Sequence, residues 1–107
     1  MSLDVTLTTP GTVTLYQSNI THNLGPMARE AGIYQHLWHP ESINITKASQ
    51  LIDPLQKGLH LLKSAPEHFA KFNAANGWGT YTHFVPFVEE YLEACKEMPE
   101  ADVTVSR

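Results

Sequence analysis

Three of the six histidines of this 107-residue chain fall in one stretch, "HNLGPMAREAGIYQHLWH", running from His22 to His39. Two imidazoles at i, i+3 or i, i+4 of a helix can share a metal ion, as in the HExxH zinc motif. His36 and His39 have that spacing. The residues between them are Leu37 and Trp38, so no glutamate stands ready as a base. His22, Glu30, His83 and Glu90 are possible further ligands, and spacing selects none of them. His39 precedes Pro40 at a helix end, where the backbone dipole favours an imidazolium without any metal. No metal or other cofactor is therefore expected.

Two other places could hold a ligand. At Thr21-His22-Asn23 a strand hands over to a helix, and free backbone N–H groups at such a junction favour an anion. The plain alternative is that Thr21 or Asn23 caps the helix while His22 is merely exposed. The second place is "NAANGWGTY" (73–81), where Gly77 and Gly79 bracket Trp78 and permit positive φ. There the indole either folds back as a lid on the core or forms an aromatic platform for a ligand. Asn73, Asn76, Thr80 and Tyr81 add hydrogen-bonding groups around it. Tyr34 and Trp38 could supply an opposing wall, and Arg29 could join His22 in meeting negative charge.

Other polar groups read as structural. His60 and His68 face solvent on their helices. Glu89, Glu90, Glu93 and Glu97 form a solvated face, or a surface for a basic partner. Cys95 sits on an apolar stripe as a small core residue. There is no glycine-rich phosphate loop, nucleophile elbow or Cys/His pair at a recognisable spacing.

Composition narrows the classes. Hydrophobic residues make up 42% and charged residues 17%, a globular balance. A formal net charge of −4 with scattered lysines and arginines argues against a nucleic-acid polymer as partner, which requires a basic stripe. A lone cysteine points to a reducing compartment. The first residues lack the basic and apolar regions of a signal peptide, and no apolar run is long enough to cross a membrane. The expectation is a cytoplasmic protein without a membrane partner. The sequons at Asn19 and Asn44 then matter less than their threonines, Thr21 and Thr46, as helix caps.

The elements follow from periodicity. "LDVTLT" (3–8) and "TVTLYQ" (12–17) alternate and flank Pro10-Gly11, the pair for a type II turn, so they read as a hairpin with Val13 and Leu15 on one side. "DVTVS" (102–106) is a third strand. Leu24, Met27, Ala28 and Ala31 mark a helix entered through Gly25-Pro26, and Gly32 ends or bends it. Thr46 opens the next helical segment, Asp53-Pro54 kinks or restarts it, and Ile52, Leu55, Leu59 and Leu62 form its stripe. Ser64-Ala65-Pro66 begins a short helix. The last helix starts between Thr80 and Pro86 and turns Phe84, Phe87, Val88, Tyr91, Leu92 and Cys95 inward. The expected fold is α+β over residues 1–107 as a single domain: a small three-stranded antiparallel sheet, from the N-terminal hairpin plus the C-terminal strand, packed with three to four helices.

The segments "SNITHNLGPMAREAGIYQHLW", "NGWGTY" and "FVEEYLEACKEMPEADV" together resemble a group of short accessory proteins found in phage and prophage genomes and some bacteria. The resemblance spans about Tyr16 onward. It carries no established activity and therefore no functional residue. It implies a small accessory protein acting on a host or defence component by binding. The reading that results is a non-enzymatic module, a homo-oligomer, for a small anionic ligand such as a nucleotide. Its site would comprise Thr21, His22, Asn23, Arg29, Tyr34, Trp38, Trp78, Thr80 and Tyr81. Two alternatives stand beside it. One is a protein-interaction inhibitor that meets a host protein through the acidic last helix or the Trp78 loop. The other is a metal-dependent hydrolase on His22, His36 and His39.

Overall fold

A computed structural model describes residues 2–11 and 13–107. Strands β1 (Ser2–Thr8) and β2 (Thr14–Thr21) form the hairpin, and β3 (Asp102–Ser106) pairs with the other side of β1. The sheet is antiparallel throughout, in the order β2-β1-β3. Between β2 and β3 run five helices: α1 (Gly25–Glu30), α2 (Tyr34–Trp38), α3 (Ser49–Ser64), α4 (Pro66–Ala70) and α5 (Tyr81–Glu97). Single 3-10 turns precede α1 (His22–Leu24) and follow α2 (Pro40–Ile43). The α+β architecture expected from periodicity is therefore present, with its helical part divided more finely.

One face of the sheet is apolar and one polar. Leu3, Val5 and Leu7 of β1 are fully buried. The register sets Leu3 opposite Ile20 and Leu7 opposite both Tyr16 and Val103, so the strands share one inward face. The inward phase of β2 is thus Tyr16, Ser18 and Ile20, while Val13 and Leu15 are exposed, contrary to a reading that grouped them as the apolar side. A register irregularity between Leu7 and Thr8 accompanies the change. Nor is the connection a type II turn, because Gly11 has no positive φ. Thr9 closes it instead, its N–H donating to the Val13 carbonyl while its hydroxyl accepts from the Val13 N–H. Thr12, placed at the start of β2 by the alternation, lies outside the described residues.

Helices α3 and α5 cover the inward face. Phe84, Phe87, Val88, Tyr91, Leu92 and Cys95 of α5 are buried, and the Tyr91 ring stacks on Tyr16 of β2 at 5.9 Å. The α3 helix buries Leu51, Leu55, Gly58 and Leu62. It runs unbroken through Pro54, which neither caps nor restarts it. Pro54 forfeits one backbone bond, and the buried stripe on both sides of it holds the helix together. Thr46 does not cap α3 either. The Gln50 side chain reaches back to accept from the N–H groups of Thr46 and Lys47. Gly32 (φ 78°) does end α1 in the left-handed conformation. Ile33 then turns inward until its methyl meets α3 where a Cβ on Gly58 would stand. No helix is long and apolar enough to cross a membrane among the described residues.

Candidate functional site

The junction after β2 and the Trp78 loop, far apart in sequence, meet. The Asn23 side-chain amide donates to the Trp78 carbonyl at 2.8 Å. On the other side of the same residue, the Trp78 N–H donates to Asn76 Oδ1 at 2.9 Å. Gly77 (φ 79°) and Gly79 (φ 114°) supply the left-handed backbone this path requires. Gly79 also presses against the junction. A Cβ there would stand 3.0 Å from the Thr21 methyl and 3.1 Å from Asn23 Cβ. The peptide of Trp78 is therefore fixed while its indole is 72% exposed, which excludes the core-lid role.

Between these parts lies a groove of about 750 Å³. Its walls are Asn19, Thr21 and Asn23 on the strand side, Asn76 to Gly79 on the loop side, and His83, Phe87 and Glu90 on α5. The volume suits a small organic ligand. Among the described residues Glu90 is its one carboxylate, and no lysine or arginine lines it. The Asn23 and Asn76 amides each commit one group to the Trp78 peptide, and the other group of each has no hydrogen-bond partner among the described residues. His83 Nδ1 lies 3.2 Å from Thr80 Oγ1.

The remaining expected residues form a second assembly behind the junction. The Trp38 indole N–H donates to His22 Nδ1 at 2.7 Å, which fixes the His22 tautomer with its proton on Nε2. Trp38 is nearly buried, and Tyr34 stacks on it at 5.2 Å between ring centres. The Arg29 guanidinium lies 4.0 Å from the centre of the Tyr34 ring, a cation–π contact. Arg107 donates to the Trp38 carbonyl at 2.8 Å and to Glu41 at 2.6 Å. Of the nine residues expected in one site, Thr21, Asn23 and Trp78 line the groove. His22, Arg29, Tyr34 and Trp38 belong to the second assembly.

Thr80 and Tyr81 serve the frame. Thr80 precedes α5 and its hydroxyl contacts Thr82 and His83. The Tyr81 hydroxyl donates to the Leu62 carbonyl at 2.7 Å, and its N–H donates to Asn73 Oδ1. Thr21 accepts from the Asn23 N–H, so it acts as the cap of the 3-10 turn. His68 is not simply solvated: its Nε2 stands 2.6 Å from Glu30 Oε2, tying α4 to α1. Among the described residues no three His, Cys, Asp or Glu side chains are grouped to hold a metal ion. Burial lowers the His36 pKa below the ordinary imidazole range and pushes the Cys95 thiol up to about 12.

From the sequence, His83 reads as a possible metal ligand, Glu90 as that or as part of the acidic helix face, Phe87 as core and Asn19 as a sequon, and none of these or Pro86 reads as lining a ligand groove. Signals for them existed. His83, Pro86, Phe87 and Glu90 recur at i, i+3, i+4, i+7 and so share one face of α5, while Asn19 and Thr21 share one face of β2.

No protein-family model matches the chain, no curated protein does, and no solved structure does.

Proposed function

We propose that the protein is a non-enzymatic binding module for a small ligand of the nucleoside type, held in the groove between β2, α5 and the Trp78 loop. The observation that carries this reading is an exposed indole on a loop whose backbone is held in place. Trp78 is held by its backbone on both sides, so a flat ring stacks on it without first ordering the loop. The free amide groups of Asn23 and Asn76, with Asn19 beside them, are the kind of donors and acceptors that read a base edge or a ribose hydroxyl.

Charge refines the ligand class. An anion in the groove would face the Glu90 carboxylate and, among the described residues, no lysine or arginine, since Arg29 rests on Tyr34 and His22 receives Trp38. The part of the ligand inside the groove is therefore uncharged, and a phosphate, where the ligand carries one, projects outward. A small accessory protein of the phage type that sequesters such a molecule from a host or defence component is consistent with this chemistry.

Titration with adenosine and with its monophosphate, followed by tryptophan fluorescence, tests the reading. Trp78 is exposed and Trp38 nearly buried, so the red-shifted emission belongs to Trp78. The expected result is saturable quenching of that component, no weaker for adenosine than for the monophosphate, and absent in Trp78→Ala. Quenching that persists in Trp78→Ala, or none with either compound, overturns the assignment.

A further inference from the structure

We infer that the free edge of β2 is a docking surface for an extended protein segment with alternating basic residues, which adds as a fourth strand beside the acidic face of α5. Among the described residues β2 pairs only with β1. Its sequence, TLYQSNIT, contains no charged residue and no proline, the devices that ordinarily keep a strand edge from pairing. The opposite edge differs: β3 is partly closed by a bridge between Asp102 and Lys47 and by the Val103 N–H donating to the Thr46 carbonyl. Among the described residues the Leu15–Ser18 stretch of the β2 edge has no such bridge, while its far end meets the Trp78 loop at Thr21.

What lies beside that edge selects the occupant. A groove of about 590 Å³ runs between β2 and α5, bounded by Leu15 to Ser18 on one wall and by Glu90, Glu93 and Glu97 on the other. Glu89 is paired with Lys63, and Glu93 has only a loose exposed contact to Lys96 at 3.7 Å. Glu90 and Glu97 have no ion-pair partner among the described residues. An added strand would lie roughly 4.8 Å from β2, with inward side chains repeating about every 6.6 Å. Glu93 and Glu97 are four residues apart, or roughly 6 Å along the helix. Lysine or arginine at i and i+2 of the added strand therefore meets successive carboxylates. The side chains between them fall on the exposed Leu15 side. A second copy of this chain fits less well. Two-fold pairing through β2 would bring two glutamate rows together, and each chain already carries a net charge of −4.

The test uses the full chain and a fluorescent peptide of repeated Lys-Val, read by anisotropy. Three controls accompany it: a Glu-Val peptide, the Lys-Val peptide N-methylated at alternate residues, and the Glu93→Gln/Glu97→Gln protein. Saturable binding is expected for the Lys-Val peptide alone, about tenfold weaker for the double variant and for the N-methylated peptide. Ser18 and Glu90 line both grooves but Trp78 lines only the ligand groove, so Trp78→Ala should bind the peptide normally. Equal binding of the N-methylated peptide shows charge attraction without strand addition and overturns the inference. So does no binding, or a concentration-dependent dimer whose formation excludes the peptide.

Discussion

The Asn23 side chain holds the Trp78 carbonyl at 2.8 Å, joining a strand-to-helix junction to a loop distant in sequence. The bond makes the loop part of the scaffold. Replacing Asn23 by Ala removes one exposed hydrogen bond, so stability should fall by roughly 0.5–1.5 kcal/mol. Adenosine affinity should fall further than that loss alone explains, because the platform is no longer preset. Urea unfolding beside a fluorescence titration checks both, and an unchanged affinity would show that the bond does not position Trp78.

Gly79→Ala should be more damaging. The residue would need φ near 114° and its Cβ would press on Thr21 and Asn23. A cost of about 1–3 kcal/mol follows from strain of this kind. Selective loss of ligand response, with the core intact by circular dichroism, is the expected pattern.

At Gly58 the constraint is space alone. A methyl there would come within 2.5 Å of the Ile33 side chain, which is buried. Gly58→Ala should destabilise by about 1–3 kcal/mol through overpacking, despite the better helix propensity of alanine. In the Ile33→Ala background the same substitution should cost clearly less. Equal cost in both backgrounds would place the problem elsewhere.

The pH dependence of stability has two limits. Burial pushes the Cys95 thiol up to about 12, against roughly 8.5 for an unfolded thiol. Above about 8.5 the unfolded chain loses that proton first, so stability falls as pH rises. His36 is shifted downward by burial, so as pH falls below roughly 6.5 the unfolded chain gains the proton first and stability falls again. Urea midpoints should therefore be highest between about pH 6.5 and 8.5. Cys95→Ala should flatten the onset of the alkaline decline, and an unaltered profile would contradict the assignment.

Much of the fold was legible because strand alternation and helix periodicity are local signals. Leu3, Val5 and Leu7, and the α5 stripe from Phe84 to Cys95, read directly as core. The phase of β2 did not, since the register irregularity at Leu7/Thr8 is set by pairing and leaves no local mark. The site was legible in its parts but not its grouping. Positive φ at Gly77 and Gly79 was readable from residue type, whereas the diversion of His22 to Trp38 and of Arg29 to Tyr34 depends on how α1 and α2 fold back on each other. That diversion leaves the groove beside the junction without lysine or arginine among the described residues.

In the proposed binding mode Asn23, Asn76 and Trp78 form one ligand surface. Amide and side-chain NMR spectra recorded during an adenosine titration test it most directly. Adenosine should cause concerted, saturable shifts of the Asn23 and Asn76 side-chain amides, the Gly79 amide and the Trp78 indole N–H, with the Trp38 indole N–H unmoved. Shifts centred on Trp38 and Tyr34, or none among the groove residues at saturating adenosine, would contradict it.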